Sequence, residues 1–411
     1  MKKILGYRCL DCGKEIKYEP LRYLCDCGGN LDVVYDYAAI KKTLTRRSLE
    51  SNYRLDHWRY LDVLPLANLD KIPNLQVGWT PVYKTPRLAK ALGAGQVFIK
   101  DDSRNPSASF KDRASSVALA YARENGVKKI VAASTGNAGA ALACMAASVG
   151  FPCVIIVPKS APKAKIAQLM NFGATVIAVD GMYDDAYDLS VKATQQFGWY
   201  NRNTGYNPIT REGKKTCGHE ICEQFGWTPP DYVLVSVGDG NIISGIWKGF
   251  KDMKALGLVD KLPKMVAVQS EKSNAVSLAY ATAAKNPSSK IEIMPVHAST
   301  IADSISVDMP RDGIAAVRAL IESGGFAVEV ADEEIIAAIS VCARETGVFP
   351  EPAGAASVAG LKKIAFRIKD SETALCVVTG SGLKDIAAAS KSVGEPPVIA
   401  PTVDALSKLL Q

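Results

Sequence analysis

Apolar residues fall along this chain in two alternating rhythms. Short runs rich in β-branched residues predict strands: QVFIK (96–100), KKIVAAS (128–134), CVIIVP (153–158), ATVIAVD (174–180), DYVLVSV (231–237), KMVAVQS (264–270) and ALCVVTG (374–380). Between them lie longer stretches with the composition and spacing of helices. These are the segment led by Lys111, then GAALACMAASVG (139–150), APKAKIAQLMNFG (161–173), IISGIWKGFKDM (242–253), DEEIIAAISVCARETG (332–347) and GAASVAGLKKIAF (354–366). A strand apolar on both faces has no side to turn to water, so it belongs in a parallel sheet covered by helices. The alternation predicts an α/β protein with open, doubly wound sheets. Ligands bind such sheets where the carboxyl ends of strands meet helix N-termini.

The uncharged stretch from Ile130 to Pro158 is long enough to cross a bilayer. It contains Ser134, Thr135, Asn137, three glycines and Pro152, and it divides into strand, loop, helix and strand, so it predicts no membrane span. The chain has 411 residues, 48% hydrophobic and 22% charged, which fits a soluble globular protein with more than one domain. The net charge of +7 is spread out, with no basic run interleaved with aromatics, so nucleic acid is not the expected partner. MKKIL begins like a leader, but Gly6, Tyr7, Arg8 and Cys9 end the apolar run. Ten cysteines without a targeting segment point to the cytoplasm and to reduced thiols.

Four of those cysteines cluster near the start. Cys9 and Cys12 stand in CLDC, Cys25 and Cys27 in CDC followed by GGN. Paired thiolate knuckles that could grip a tetrahedral Zn²⁺ resemble a zinc ribbon, although the second knuckle has one residue between its cysteines where two is usual. The alternative is a reduced hairpin turning at Gly28–Gly29. The other six cysteines sit singly in apolar segments and read as core.

Three junctions after strands are rich in glycine. STGNAG (134–139) combines backbone amides with a hydroxyl and an amide side chain, as a carboxylate or phosphate cradle does. VGDGNIISG (237–245) lets backbone approach an anion; it lacks the Gly-Lys-Ser/Thr ending of a nucleotide loop and does not complete G-x-G-x-x-G. TGSGLKD (379–385) offers two hydroxyls. In NPSASFKDRAS (105–115), Lys111 follows Phe110 and three small residues at a helix start, where the helix dipole favours a neutral, nucleophilic amine. Read alone, each allows a plain turn, a helix cap or a solvated lysine. Read together, a reactive lysine, two anion cradles and a hydroxyl loop are the parts of a pyridoxal phosphate site.

The order SFKDR, STGNAGAALA, the glycine loop after VLVSV, EPAGAASVAGL and TGSGLKD resembles fold-type II pyridoxal phosphate enzymes, the tryptophan synthase β-like class. The cysteine-rich start, DHWRYLDVLP, VGWTPVYKTPRL, REGKKTCGHEICEQFGW and TIADSI are similar to the threonine synthase family, over nearly the full length. The resemblance implies two open α/β domains plus the zinc-ribbon-like segment at 1–36. The large domain would comprise 37–110 and 208–411, the small one 111–207. It implies that Lys111 carries the Schiff base and removes the α-proton. Asn137 would bond the cofactor ring hydroxyl. Ser134, Thr135, Gly136 and Asn137 would hold the substrate. Gly238, Asp239, Gly240, Asn241 and Ile242 would hold the cofactor phosphate, and Thr379 would face the pyridine nitrogen. The implied reaction turns O-phospho-L-homoserine and water into L-threonine and phosphate, in a homodimer acting on a small amino acid.

The chain departs from the family pattern at the phosphate ligands. GDGN stands where members often read GNAGN, Gly205 where a serine is usual, and Thr210 where an arginine is usual, with Arg211 one place later. Arg211 is the expected compensating substrate ligand. The same departures admit an alternative: β-replacement or β-elimination on serine, O-phosphoserine or threonine, as in cysteine or cysteate synthases or dehydratases.

Overall fold

The computed structural model describes residues 3–286 and 290–410. Within them the strands form three sheets. The first is antiparallel: β1 (Ile4–Cys9) lies between β2 (Glu15–Lys17) and β3 (Leu31–Tyr35). It is the cysteine-bearing segment; Met1 and Lys2 of the expected 1–36 stretch lie outside the described residues.

The largest sheet draws on β4 (Val82–Lys84) and β5 (Gln96–Asp101) before the middle of the chain. The middle supplies a separate sheet of β6 (Ile130–Ala133), β7 (Cys153–Pro158), β8 (Thr175–Val179) and β9 (Tyr200–Asn201). The chain then returns to the large sheet with β10 (Tyr232–Ser236), β11 (Lys264–Ser270), β12 (Phe326–Val330) and β13 (Thr373–Val378). The large sheet runs β12-β11-β10-β13-β5-β4 and is parallel except for the β4–β5 pair. The small sheet runs β8-β7-β6-β9 and is wholly parallel.

All seven runs expected to be strands are strands. The mostly apolar β6, β10 and β13 are buried along nearly their whole length, as double coverage by helices requires. β8 is the exception: equally apolar, it is largely exposed because it is the edge of its sheet. β4, β9, β12 and the strands of the first sheet carry no such run. FAVEV in β12 alternates and sits at an edge, and β9 is two residues long. No helix among the described residues is long and apolar enough to cross a membrane.

Candidate active site

Lys111 opens the Lys111–Glu124 helix, and its position is fixed from two sides. Phe110 is fully buried and its N–H donates to Thr379 O at 2.8 Å. Ser381 N–H donates to Ala108 O at 3.1 Å. Ala108 takes a left-handed conformation (φ 60°), one that a side chain adopts only when its surroundings impose it. One turn into the helix, Arg113 is anchored to Asp102 (Nε–Oδ2, 2.6 Å) and Glu220 (Nη2–Oε2, 2.7 Å), and Lys100 reaches Glu220 at 2.7 Å. These fully buried ions tie the helix start to β5 and to the Thr216–Gln224 helix.

Lys111 lines a cavity of about 520 Å³ where helices from the two parallel sheets begin. Burial holds its amine below the usual lysine range; Arg202 adds to this, while Glu351 and Asp239 oppose it. Ser134, Thr135, Gly136 and Asn137 line the same cavity, at the start of the Asn137–Ala147 helix. So do Gly238, Asp239, Gly240, Asn241, Ile242 and Thr379.

The loop after β10 brings bare backbone to the cavity wall. Gly240 has φ +88°, and a Cβ there would lie 2.7 Å from Asp312 O. A Cβ on Gly238 would lie 2.9 Å from Ile305 Cα. Bare backbone therefore leads into the Asn241–Ala255 helix, whose first N–H groups have no partner within the helix and whose dipole is positive at that end. Asp239 Oδ1 accepts the Arg311 N–H at 3.2 Å, and burial pushes its carboxyl up.

Asp312 knits this loop to its surroundings. Its Oδ2 accepts from Asn241 Nδ2 at 2.7 Å and Ser244 Oγ at 2.9 Å, and its own N–H donates to Asp239 O at 2.9 Å. The departures from the family pattern meet here. Gly205, at φ +77°, presses on Arg311, whose Cβ would stand 2.5 Å from an added side chain, so a serine does not fit. Thr210 Oγ1 is 3.4 Å from Asn241 Oδ1.

Arg211 does not meet the expectation placed on it. It is absent from the cavity lining, and its guanidinium is committed to both oxygens of Asp312, to Asp32 (3.2 Å) and to Leu31 O (3.0 Å). A residue already paired with two carboxylates is a structural tie. The cavity's cations are instead Lys111, Lys214, Arg202 and Arg311. Glu351 also enters: Asn137 Nδ2 donates to its Oε1 and Oε2 at 2.8 and 3.0 Å, and burial pushes its carboxyl up. Glu351 lies in the EPAGAASVAGL motif, but nothing local marks it as reaching Asn137.

The donor set fits pyridoxal phosphate: an amine of depressed basicity, a glycine-backbone cradle where side chains would clash, and a threonine hydroxyl. Ser236 Oγ, in the same lining, is buried without a protein partner. At the other site, the sulfurs of Cys9, Cys12, Cys25 and Cys27 lie within 4.8 Å of one another. Cys9–Cys27 and Cys12–Cys25 approach to 3.5 and 3.8 Å, against about 3.8 Å between corners of a tetrahedron with ~2.3 Å bonds. Gly28 (φ +83°) lets the short second knuckle turn.

The chain belongs to the pyridoxal-phosphate dependent enzyme family, whose pattern it matches over residues 74–380. Among its relatives, the threonine synthase of Methanocaldococcus jannaschii is 39% identical over 98% of this chain and 99% of its own length. The threonine synthase of Methanosarcina acetivorans is 38% identical over 98% of both. In fold it is similar to threonine deaminase isoform 2 of Solanum lycopersicum (TM-score 0.64, 21% identity, 77% of this chain and 88% of that one). It is also similar in fold to maize serine racemase (TM-score 0.62, 23% identity, 74% and 88%).

Proposed function

We propose that this pyridoxal phosphate-dependent lyase converts O-phospho-L-homoserine and water to L-threonine and phosphate. The observation that carries the reading is full-length similarity to two threonine synthases in a chain whose Lys111 lines a cavity bounded by two helix N-termini. Pyridoxal phosphate bound here, with Lys111 as the residue that would hold it, would supply an electron sink for negative charge at the substrate's α-carbon. Lys111, held towards its neutral form by burial and Arg202, accepts and returns the proton at that carbon. Ser134, Thr135, Gly136 and Asn137 bind the substrate's carboxylate end. The backbone of Gly238, Asp239, Gly240, Asn241 and Ile242 takes the cofactor phosphate. Asn137, steadied by Glu351, would present its amide to the cofactor ring, and Thr379 would give the ring nitrogen a neutral partner. Arg211 has no place in this scheme.

The parts around this site follow the same reading. The large unit is 37–110 with 208–411 and the small unit 111–207, each owning one of the two larger sheets, the small unit closing on substrate. Cys9, Cys12, Cys25 and Cys27 hold a structural Zn²⁺. The enzyme works in the cytoplasm, where its thiols stay reduced, as a homodimer; the Val403–Leu410 helix has no buried residue and leaves Val403 and Leu410 open to a second copy.

The test is incubation of the cofactor-loaded protein with O-phosphohomoserine or, separately, with O-phosphoserine plus sulfide or sulfite. Threonine and equimolar phosphate from the first are expected. Product from the second alone would overturn the reading in favour of β-replacement. Lys111→Ala should fold, lose the visible absorption of a lysine-linked cofactor and lose at least ~10³-fold in turnover; full activity would remove Lys111 from the site.

A further inference from the structure

Four cations of two short segments, NRN (201–203) and REGKK (211–215), have different fates in the fold. Arg211 is spent on Asp312 and Asp32. Lys215 pairs with Glu212 at 2.7 Å and Asp252 at 2.9 Å. Lys214, between them, is 1% exposed, lines the cavity, and among the described residues forms no ion pair and no side-chain hydrogen bond. Arg202 is equally buried and lines the same cavity. Its Nε and Nη1 donate to Ser115 Oγ (3.0 Å) and Thr204 Oγ1 (3.1 Å), but Nη2 has no hydrogen-bond partner among the described residues.

Buried cations are normally paired, because an uncompensated charge out of water is costly. Here, among the described residues, two stand beside Lys111 without a direct ion pair. Burial, Lys111 and Arg202 drive the Lys214 amine far below its ordinary range, and burial lowers Arg202 to about 10. The carboxylates offset this only from a distance: Asp239 and Asp312 act on Lys214, and Asp239 and Asp112 on Arg202, while burial pushes Asp239 and Glu351 up and their hydrogen bonds go to Arg311 N–H and Asn137. The fold also makes room for Lys214 specifically. A Cβ on Gly245 would lie 2.7 Å from Lys214 Cβ. Lys214 follows Thr210 by four residues in the Ile209–Lys214 helix, so the two share a face. Thr210 is the position at which the family pattern carries an arginine.

We propose that Lys214 and Arg202 together bind a phosphate monoester dianion, Lys214 supplying one turn later the charge that Thr210 lacks. This deepens the proposed reaction and rests on it only for which ester is bound. The dianion is the substrate's phosphate or the cofactor's, and both present the same chemistry to these donors.

The experiment compares wild type with Lys214→Met, Lys214→Gln and Arg202→Lys, each checked for folding by circular dichroism. Cofactor-loaded protein is titrated with inorganic phosphate by calorimetry, and apo protein with pyridoxal phosphate by absorbance. At least tenfold weaker binding in the Lys214 variants is expected in one titration. A loss confined to inorganic phosphate on loaded protein assigns the pair to the substrate's phosphate; a loss of cofactor affinity assigns it to the cofactor's. Unchanged affinity in both titrations overturns the proposal. In phosphate-free buffer, apo Lys214→Met should melt no lower than wild type, since it sheds a buried amine that has no hydrogen-bond partner; a clear fall in Tm would show that the amine is already paired and would also overturn it. None of these readouts uses threonine formation. A protein that binds phosphate through Lys214 yet makes no threonine would refute the reaction and leave this site standing.

Discussion

Asp112 follows Lys111 directly and is fully buried. Its Oδ2 accepts the Ser107 N–H at 2.7 Å, while Oδ1 has no partner. Burial pushes its carboxyl from 3.8 up to about 7. Between those values the folded protein holds a proton that the unfolded chain has released, so stability falls as pH rises through that window. Asp112→Asn keeps an acceptor for Ser107 and removes the titration. Its stability relative to wild type should therefore grow from pH 5 to pH 7, by up to ~1.4 kcal/mol per pH unit, in urea denaturation at a series of pH values. A difference independent of pH would show that Asp112 is already ionised. The same scale shows where sequence reading stops. The place of Lys111 at a helix start was legible because small neighbours, an aromatic and helix formers are local features. Arg211, Lys214 and Lys215 are neighbours in the sequence; what separates them is which carboxylate the fold brings up, and Asp312, Asp32 and Asp252 lie far away along the chain.

At the scale of elements, the glycine junctions were legible because a loop that turns tightly or packs closely leaves a compositional trace. How each glycine is used was not. Gly240 is held at φ +88° against Asp312, whereas Gly136 has φ −96° and open space within 4 Å of where a Cβ would stand. Gly240→Ala should cost about 1–3 kcal/mol in denaturant unfolding and weaken cofactor binding, since both the conformation and the contact oppose a side chain. Gly136→Ala should cost less than about 1 kcal/mol in the same assay. Equal effects at the two positions would mean that the loop after β10 relaxes freely. The overlooked strands follow a similar logic. β12 and β4 are sheet edges, half in water, and they carry no continuous apolar run.

Across the whole molecule, the order β12-β11-β10-β13-β5-β4 places the last strand of the chain beside one from its first quarter. Periodicity carries no information about such a pairing; only the resemblance did. The cysteine segment is joined to the rest in a way that neither signal foretold. Tyr23 stacks on Tyr206 at 4.5 Å and accepts the Asn201 N–H at 2.8 Å, against the small sheet. Asn30, three residues beyond Cys27, donates to Arg311 O at 2.6 Å and to Asp312 Oδ1 at 3.1 Å, on the loop that holds Asp239 and Asn241. A metal bound by the two knuckles would therefore also fix one support of the loop proposed to hold the cofactor phosphate. Cys12→Ser with Cys27→Ser should abolish a stoichiometric zinc signal in elemental analysis, lower Tm and weaken pyridoxal phosphate binding. Asn30→Ala should keep the zinc and much of the Tm but still weaken the cofactor, because it cuts only the connection to Asp312. If the cysteine variants lose zinc while cofactor affinity stays at the wild-type value, the ribbon is an independent module and Asn30 transmits nothing to the site. If Asn30→Ala alone reproduces the loss of affinity, the path runs through Asp312, and the ribbon's part in catalysis is to hold that aspartate still.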